Sequence, residues 1–583
     1  MKKLVKYTFL TLCGITATTI VGVLGIQQWL YKPSAADATE ETSRKYRGGM
    51  VVSAHPLASQ IGKEVLVKGG NAYDAAIAVN FALTVVYPQA GNIGGGGFLV
   101  YRTASGESGA LDFREKAPLK AHRDMFLGQS GNVIDGLSRN SHLASGVPGS
   151  VDGMVKLHER LGSVAWSELL APSVQLSRQG FTLTKRGASE INRFQNEFAE
   201  RNRFSTRFVQ DGGWRGGDHI SFPELALTLE RIADAGRAGF YQGETAELLR
   251  AEMEAGGGLI TQDDLDEFQS VWREPVRSSY RGFEVIAMPL PSSGGIALSQ
   301  MLRGAEAYDL ADMQHNSAEH VHLMTELQRR VYADRAEWLG DSDFVLVDTA
   351  KLLSPDYIDQ RMADIDLSKK TDSQSVKPGE VAAIESFETT HFSIVDRWGN
   401  AVSVTTTLNG FFGSKIVVKG AGFLLNNEMD DFSIKPGVPN AFGLVGNENN
   451  SIAPGKRMLS SMTPTIVTRD DQLFMVLGSP GGSTIITTVF QVISNVIDFG
   501  LSLQAAVDAK KTHSQWLPDV VMVEKGAMDT ASLLRFLWRG HIPVVWPLFN
   551  WELGRVNAVR VHSDGSLEGA ADPRGDDNAS MGL

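Results

Sequence analysis

The stretch from Thr389 to Asn409 limits the fold of this chain more than any other. Its β-branched apolar residues flank the turn-forming segment 396–400, and this pattern predicts a β-hairpin in an antiparallel sheet. The second strand of a hairpin returns to the start of the first. Thr405 and Thr407 are therefore expected beside Thr389 on one face. A hydroxyl in such a cluster becomes a nucleophile if a neighbouring group takes its proton.

Other kinds of catalytic site lack their motifs. No His-Glu-x-x-His is present, and His320 and His322 are two residues apart, which predicts solvent or core histidines rather than metal ligands. No Gly-x-Ser-x-Gly elbow is present either. The acidic run 428–431 has two open interpretations, a pair of catalytic carboxylates or a solvated acidic turn.

A threonine at a chain's own amino terminus offers a different solution. If the chain is cut after Glu388, Thr389 becomes a new N-terminus. An α-amine has a pKa near ~7.7–8.0, which suits a general base close to neutral pH. The hydroxyl of Thr389 would then be activated by its own residue.

Two glycine-rich stretches are expected near the site. Residues 94–97 are four consecutive glycines, and the missing Gly-Lys-Ser/Thr ending argues against a phosphate loop and for a turn with close backbone approach. Residues 478–483 lie between a predicted strand and a helix, where free backbone N–H groups suit an oxyanion.

Arg114 follows a predicted strand, and its role is open at this stage. It is either a surface charge or structural ion pair, or a clamp for a carboxylate.

The composition and the N-terminus indicate an exported globular protein. The net charge of −12 over 583 residues argues against nucleic acid as a partner. Cys13, the one cysteine, lies in the uncharged run 7–31 after a lysine-rich start, so the folded body has no disulfide. Residues 1–31 are predicted to be a signal peptide or an uncleaved signal anchor in the inner membrane, which places the body in the periplasm or another extracytoplasmic space. Residues 32–48 read as a polar linker.

The remaining chain divides at the hairpin. Residues from roughly 140 to 340 have mostly helical spacing, and residues 366–388 have the polar composition of an exposed mobile segment. The chain after Thr389 is rich in predicted strands, whereas residues 528–551 match no recognisable pattern.

Further motifs accompany the hairpin in a fixed order. They are Pro88–Phe98, Asp112–Glu115, Tyr332–Arg335, Leu425–Phe432, Leu459–Met462, Gly478–Ser483 and Ala571–Arg574. With Thr389–Asn409, they resemble the gamma-glutamyltransferases (glutathione hydrolases), which are N-terminal-nucleophile hydrolases. The resemblance extends from about residue 48 to the end.

The resemblance implies a fold and a processing step. The fold is α/β (α+β), a four-layer α-β-β-α sandwich of two stacked, mainly antiparallel sheets. A precursor would cut itself between Glu388 and Thr389, and a large subunit (49–388) and a small subunit (389–583) would remain together as a heterodimer. Thr389 would then transfer the gamma-glutamyl group of glutathione or a related amide to water, an amino acid or a dipeptide.

The resemblance also assigns roles to individual residues. Thr389 is the nucleophile, Thr407 orients it, Thr405 helps processing, and Gly481 and Gly482 offer N–H groups to the oxyanion. The substrate's α-carboxylate and α-ammonium are held by two sets of residues. These sets are Arg114, Ser460 and Ser461 for the carboxylate, and Asn409, Glu428 and Asp431 for the ammonium. No metal and no organic cofactor is implied.

Two departures from the family pattern affect this expectation. Some relatives carry a tyrosine in the loop that covers the substrate, where this chain has Phe442, and some carry a glutamine in place of Glu428. Two alternative functions remain: an acylase for cephalosporins or polyglutamate on the same fold, and an inactive membrane-anchored binding protein.

Overall fold

The computed structural model describes residues 45–376, 389–438, 446–545, 552–575 and 577–583. Within these ranges, no helix combines the length and the apolar character that a membrane span requires.

Several predictions lie outside the described residues. They concern the N-terminal signal or anchor, Glu388 at the expected cut, and Phe442 in the expected lid. Of the predicted linker, the last residues are described: Tyr46 pairs with Leu567, and the N–H of Gly48 donates to the carbonyl of Leu583 at 3.0 Å.

The strands are numbered in chain order. They are β1 (Gly49–Ser53), β2 (Gly96–Arg102), β3 (Ser108–Asp112), β4 (Phe181–Thr182), β5 (His219–Ile220), β6 (Val271–Arg273), β7 (Val276–Tyr280), β8 (Phe283–Ala287), β9 (Thr390–Asp396), β10 (Ala401–Thr407), β11 (Thr465–Arg469), β12 (Gln472–Gly478), β13 (Thr512–His513), β14 (Val521–Val523), β15 (Pro543–Val545), β16 (Asn557–Val561), β17 (Leu567–Ala571) and β18 (Ala579–Gly582).

The helices are numbered in the same way. They are α1 (Pro56–Val67), α2 (Ala72–Val86), α3 (Leu137–Asn140), α4 (Ser150–Leu161), α5 (Trp166–Gln179), α6 (Lys185–Arg193), α7 (Gln195–Arg201), α8 (Pro223–Ala235), α9 (Ala238–Tyr241), α10 (Gly243–Gly256), α11 (Gln262–Glu267), α12 (Gly294–Glu306), α13 (Ala318–Trp338), α14 (Thr349–Leu352), α15 (Pro355–Met362), α16 (Ser373–Val376), α17 (Thr484–Ile497), α18 (Leu503–Asp508) and α19 (Thr530–Trp538).

Two stacked sheets form the centre of the molecule. A seven-stranded sheet has the order β18-β1-β9-β10-β2-β3-β6, and a six-stranded sheet has the order β17-β16-β12-β11-β8-β7. The pairings described within both sheets are antiparallel. Helices α1 and α2 cover the outer face of the first sheet, and α12 and α17 cover that of the second. The predicted four-layer α-β-β-α sandwich is confirmed.

Alternating side chains give the first sheet two apolar faces. On β2, Leu99 and Tyr101 join the core beneath the helices, whereas Phe98 and Val100 join the core shared with the second sheet. A strand buried on both faces needs apolar residues at successive positions, as this one has.

The predicted hairpin is formed by β9 and β10. Asp396 closes its turn by accepting hydrogen bonds from the N–H of Trp398 (2.9 Å) and of Asn400 (3.0 Å). It also accepts from the N–H of Ala72 at the start of α2 (3.0 Å), which attaches the hairpin to the helical layer. Local turn chemistry and one long-range contact therefore fix the position of β10.

The four-glycine run confirms the expected close backbone approach. A Cβ atom on Gly95 would lie 2.1 Å from the carbonyl oxygen of Thr407, and one on Gly97 would lie 2.4 Å from that of Thr405. Any side chain at these positions would push β10 away. The glycines thus allow the end of β10 to sit directly against the neighbouring backbone.

The sequence-based prediction missed short strands within the helical region. Residues 140–340 are mainly helical, but β6 and β7 form the edges of the two main sheets. β6 has three residues, and the middle of β7 is Arg-Ser-Ser, which faces solvent in part. Edge strands of this kind lack the apolar alternation from which strands are recognised.

The predicted exposed segment is attached to the body of the protein at residues 371–376, although several of its residues are exposed, as expected. Ser373 and Val376 are buried, and Arg329 of α13 donates to the carbonyl of Thr371 at 2.9 Å. The polar residues serve here as partners for a buried arginine, which composition alone does not reveal. Residues 377–388 lie outside the described ranges.

The segment that matched no pattern packs against α13. Its helix α19 and strand β15 are followed by residues outside the description, and β15 pairs in parallel with β14. His541 of this segment hydrogen-bonds His322 at 2.7 Å between ring nitrogens.

Replacing Gly95 by alanine tests the backbone approach. We expect Gly95→Ala to lower the free energy of unfolding by about 1–3 kcal/mol, because the new methyl group overlaps the Thr407 carbonyl. Gly128→Ala is the matched control, since its nearest neighbouring atom lies 3.7 Å away. The measurement is the denaturant or thermal unfolding of both variants, and equal stability of the two would contradict the packing described.

Candidate active site

Thr389 lies immediately before β9 and is buried, with 4% of its surface exposed. Thr390 pairs with Thr406, so Thr389 is next to the end of β10, and both Thr389 and Thr407 line one small cavity. The predicted neighbourhood of Thr389 and Thr407 is therefore confirmed.

This cavity gathers most of the predicted site. Its volume is about 20 Å³, and it is lined by both fragments of the expected cut. All the predicted catalytic and substrate-binding residues except Gly481 line it. The predicted lining residues are Thr389, Thr407, Arg114, Asn409, Glu428, Asp431, Ser460, Ser461 and Gly482, and the others are Arg335, Met462, Ser483 and Ile485.

A larger cavity does not contain these residues. It measures about 480 Å³ and is lined mainly by residues 204–210 and 219–225 of the helical region. A reaction site needs convergent polar groups rather than volume, so the smaller cavity is the candidate active site.

Thr407 is held by hydrogen bonds at both its side chain and its backbone. Its Oγ1 accepts from the N–H of Asn409 at 2.7 Å, and its carbonyl accepts from Asn92 Nδ2 at 2.8 Å. Asn92 also accepts at Oδ1 from Gly95 N–H (2.9 Å) and Ser150 Oγ (2.7 Å). Asn92 is a positioning residue that the sequence analysis did not single out, although it lies in the matching motif 88–98.

Thr405 lies outside the cavity. It pairs with His391, and His391 Nδ1 lies 2.9 Å from Thr405 Oγ1. Burial lowers the pKa of His391 to about 3, so this ring is neutral. A helper role for Thr405 in processing remains a prediction.

Arg114 is buried and joins a cluster of carboxylates. Its exposed fraction is 1%, so the surface-charge interpretation is wrong. Nη1 of Arg114 donates to Glu428 and Nη2 donates to Asp431, and both acids belong to the 3₁₀ turn Glu428–Asp431. The Oε2 atom of Glu115 lies 3.8 Å from Nη1. The solvated-turn interpretation of the acidic run is also wrong, because its carboxylates point into the protein.

Burial dominates the ionisation of this cluster. It raises the pKa of Asp431 to about 6 and that of Glu115 to about 7, and raises the pKa of Glu428 well above its usual range, although Arg114 opposes each shift. Burial alone would lower the pKa of Arg114, but the carboxylates of Glu428 and Asp431 outweigh it and raise that pKa. In this cluster Arg114 therefore faces three carboxyl groups, and burial raises the pKa of each of them.

Ser460 and Ser461 also line the cavity. Ser460 Oγ accepts from the N–H of Met462 at 3.1 Å, and the Ser460 carbonyl accepts from Ser293 Oγ at 2.7 Å. Ser461 Oγ accepts from Arg335 Nη2 at 3.1 Å. Arg335 belongs to the matching motif 332–335, but the sequence analysis gave it no role.

The glycine loop after β12 approaches the cavity as expected. Gly481 and Gly482 have φ angles of +135° and +53°, which favour glycine, and Gly482 lines the cavity. Tyr332 of α13 donates to the carbonyl of Ser483, and Thr484 Oγ1 donates to the carbonyl of Gly481 at 2.8 Å. The loop is therefore fixed from two sides before α17 begins.

His320 and His322 are both buried in the core. His322, His541 and Glu326 lie close enough together to hold a metal. However, Glu326 already pairs with Arg329 and Arg330, and the two imidazole rings hydrogen-bond each other. Each of the three side chains therefore has hydrogen-bond or ion-pair partners within the protein.

A threonine hydroxyl at a strand start needs a base, and cleavage at its amide bond would create one. On a four-layer sandwich of two antiparallel sheets, this arrangement defines an N-terminal-nucleophile hydrolase.

Comparisons with known proteins narrow this class. The Gamma-glutamyltranspeptidase family model matches residues 58–582. The chain is 44% identical over 537 residues to a glutathione hydrolase proenzyme of Escherichia coli (strain K12), which covers 92% of each chain. It is 45% identical over 544 residues to one from Pseudomonas aeruginosa, covering 93% of this chain and 96% of the relative.

A solved structure shows the same architecture. The cephalosporin acylase from Bacillus halodurans superposes with a TM-score of 0.82 at 26% identity, covering 95% of this chain and 99% of that one. On the match over most of its length, this chain belongs to the gamma-glutamyltranspeptidase family.

The pKa of Glu115 gives a test of the buried cluster. The folded protein binds this proton more tightly than an unfolded chain, whose glutamate pKa is 4.5, so the free energy of unfolding falls as pH rises from about 4.5 to about 7. Glu115→Gln removes this dependence. Relative to the unmodified protein, the variant should gain about 2 kcal/mol of stability between pH 5 and pH 8.

The measurement is urea unfolding of both proteins at the two pH values. Glu254→Gln, at an exposed position of α10, is the control and should differ from the unmodified protein equally at both. A Glu115→Gln difference that is the same at pH 5 and pH 8 would argue against the raised pKa of Glu115 in the buried cluster.

Proposed function

We propose that this chain is a self-processing gamma-glutamyltransferase and glutathione hydrolase with Thr389 as its nucleophile. In the processing step, the Thr389 hydroxyl attacks the carbonyl of Glu388, and the peptide C–N bond breaks. This leaves an ester on Thr389 Oγ1 and a free α-amine. Water then hydrolyses the ester, releasing the Glu388 carboxylate and restoring the hydroxyl.

The same hydroxyl then attacks the substrate. The Thr389 α-amine takes the hydroxyl proton while Oγ1 attacks the gamma-carbonyl of glutathione or a related amide. N–H groups of Gly481 and Gly482 stabilise the developing oxyanion, and Thr407 orients the nucleophile. The proton passes to the leaving amine, and a gamma-glutamyl ester remains. Water converts this ester to glutamate, whereas an amino acid or dipeptide gives a new gamma-glutamyl amide.

One observation carries this proposal: Thr389 shares a buried cavity with both charge types of a zwitterion site. Arg114 suits an α-carboxylate, while Glu428 and Asp431 suit an α-ammonium. The group that binds must therefore carry both charges close together, as the glutamyl end of a gamma-glutamyl amide does. An acylase on this fold is the second candidate, and the paired charges favour the gamma-glutamyl substrate over it.

We further propose that the protein acts outside the cytoplasm as two associated fragments. The lysine-rich start and the uncharged run 7–31 support export, with this segment either cleaved or kept as a membrane anchor. Fractionation of cells, followed by N-terminal sequencing of both fragments, tests this location and tells the two forms apart. A full-length N-terminus in the cytoplasmic fraction would contradict it.

Thr389→Ala tests the nucleophile directly. The unmodified protein should yield two fragments, the second beginning at Thr389, and should release amine from a gamma-glutamyl anilide. The alanine variant should remain one chain, and its activity should fall by about 10⁴-fold or more, because both the hydroxyl and the new N-terminus are lost. Gel electrophoresis, N-terminal sequencing and the anilide assay measure these outcomes.

Thr390→Val is the matched control for this substitution. Thr390 is the adjacent buried threonine, and its Oγ1 has no hydrogen-bond partner among the described residues, so valine replaces it with nearly the same shape. This variant should still be cut and active. An unmodified protein that stays whole and inactive, or a cut and active Thr389→Ala protein, would refute the proposed function.

A further inference from the structure

Arg335 brings a second guanidinium group into the cavity. It lies on α13, near the C-terminal end of that helix, and only 5% of its surface is exposed. Its Nε donates to Ser293 Oγ at 2.9 Å, and its Nη2 donates to Ser461 Oγ at 3.1 Å. Ser293 in turn donates to the carbonyl of Ser460 at 2.7 Å, so its oxygen is free to accept from Arg335.

Arg335 differs from the other buried arginines of its helix in its partners. Arg329 and Arg330 each form an ion pair with Glu326 at 2.7 Å. Arg335, by contrast, has no carboxylate within 4.0 Å anywhere in the described ranges, and its hydrogen bonds go to two neutral hydroxyls. A buried, permanently charged group without a counterion is costly. A site that accepts an anion explains why the charge is placed here.

The other charged groups of the cavity also support an anion-binding role for Arg335. Arg114 already faces Glu428, Asp431 and Glu115, so its charge is matched by carboxylates of the protein itself. Burial lowers the pKa of Arg335, which is the expected sign for a cation without a paired acid. Tyr332 and the more distant Asp431 oppose that shift only in part, and the positive charge of Arg114 adds to it. A substrate carboxylate that met Arg114 alone would add one more anion to an acidic cluster.

We propose that Arg335 is the second cation of the subsite that binds the substrate's α-carboxylate. This inference rests on the proposed function and adds a specificity-determining residue to it. When a zwitterionic glutamyl group enters, its ammonium becomes the partner of Glu428 and Asp431. Arg114 and Arg335 then face the carboxylate from two sides, with Ser461 between them.

The arrangement also explains the position of α13. Tyr332, one turn before Arg335, donates to the carbonyl of Ser483 in the loop of the oxyanion site. One buried helix thus sets the distance between the carboxylate subsite and the oxyanion loop. An α-carboxylate anchored at this helix places the gamma-carbonyl at a defined distance from Thr389.

The test compares two substrates that differ in a single charge. One is a gamma-glutamyl anilide, and the other is the same anilide with its α-carboxylate converted to a carboxamide. We expect Arg335→Gln to lower kcat/KM about 10- to 100-fold for the carboxylate substrate, which is the effect of losing a charged hydrogen bond. For the carboxamide substrate the loss should be less than about 3-fold. Arg330→Gln, a matched buried arginine outside the cavity, should affect both substrates by the same factor.

Each outcome bears on the proposal. Equal losses on both substrates for Arg335→Gln mean a structural role and overturn the inference, while the proposed function stands. An unmodified protein that is uncut and inactive on both substrates overturns both. If Arg335→Gln is not cut, Arg335→Lys decides, since lysine keeps the charge but loses the forked geometry. It should reduce the preference for the carboxylate substrate by at least about 3-fold, and an unchanged preference overturns the inference.

Discussion

The buried ion pairs of Arg114 with Glu428 and Asp431 are the interaction on which the site depends. Arg114 comes from the chain before Thr389 and its partners come from the chain after it, so the cluster exists only when the two parts are packed together. Taking these charges out of water costs more than their attraction returns unless the geometry is well supported. The support is present: Asp112 accepts from the N–H of Arg114, and Asn426 accepts from the N–H of Glu428, both at 3.0 Å. These ion pairs therefore contribute little to the stability of the fold, and their charges are positioned to bind a zwitterionic group.

Glu428 shows how a departure from the family pattern fits this cluster. Some relatives carry a neutral glutamine at the corresponding position, whereas this chain has an acid. Burial raises the pKa of Glu428 well above its usual range, because an ionised carboxyl group is disfavoured away from water, although Arg114 opposes the shift. An acid at this position therefore places a third carboxyl group beside Arg114, next to Asp431 and Glu115, where such relatives have a neutral amide.

The sequence predicted those parts of the fold that depend on residues close together in the chain. The hairpin of β9 and β10 and the glycine run 94–97 followed from alternation, turn residues and backbone freedom. The edge strands β6 and β7 were missed because three residues, or a polar middle, carry no such signal. The role of Arg335 was missed for a different reason. Whether a buried charge has a counterion depends on residues that are distant in the sequence. Ser461, whose hydroxyl accepts a hydrogen bond from Arg335, is 126 positions away in the chain.

The order of strands in the sheet affects how the two fragments would unfold and refold after cleavage. In the seven-stranded sheet, β9 and β10 lie between β1 and β2, so strands from before and after Thr389 are interleaved. Neither fragment can leave without breaking several rows of backbone hydrogen bonds. Before the cut, refolding would involve a single chain. After the cut, two unfolded fragments would have to associate again in solution, so the yield of refolded protein would depend on the protein concentration. Cleavage would therefore create the free amine and make refolding less efficient. The lifetime of the mature protein would then depend on a slow rate of unfolding.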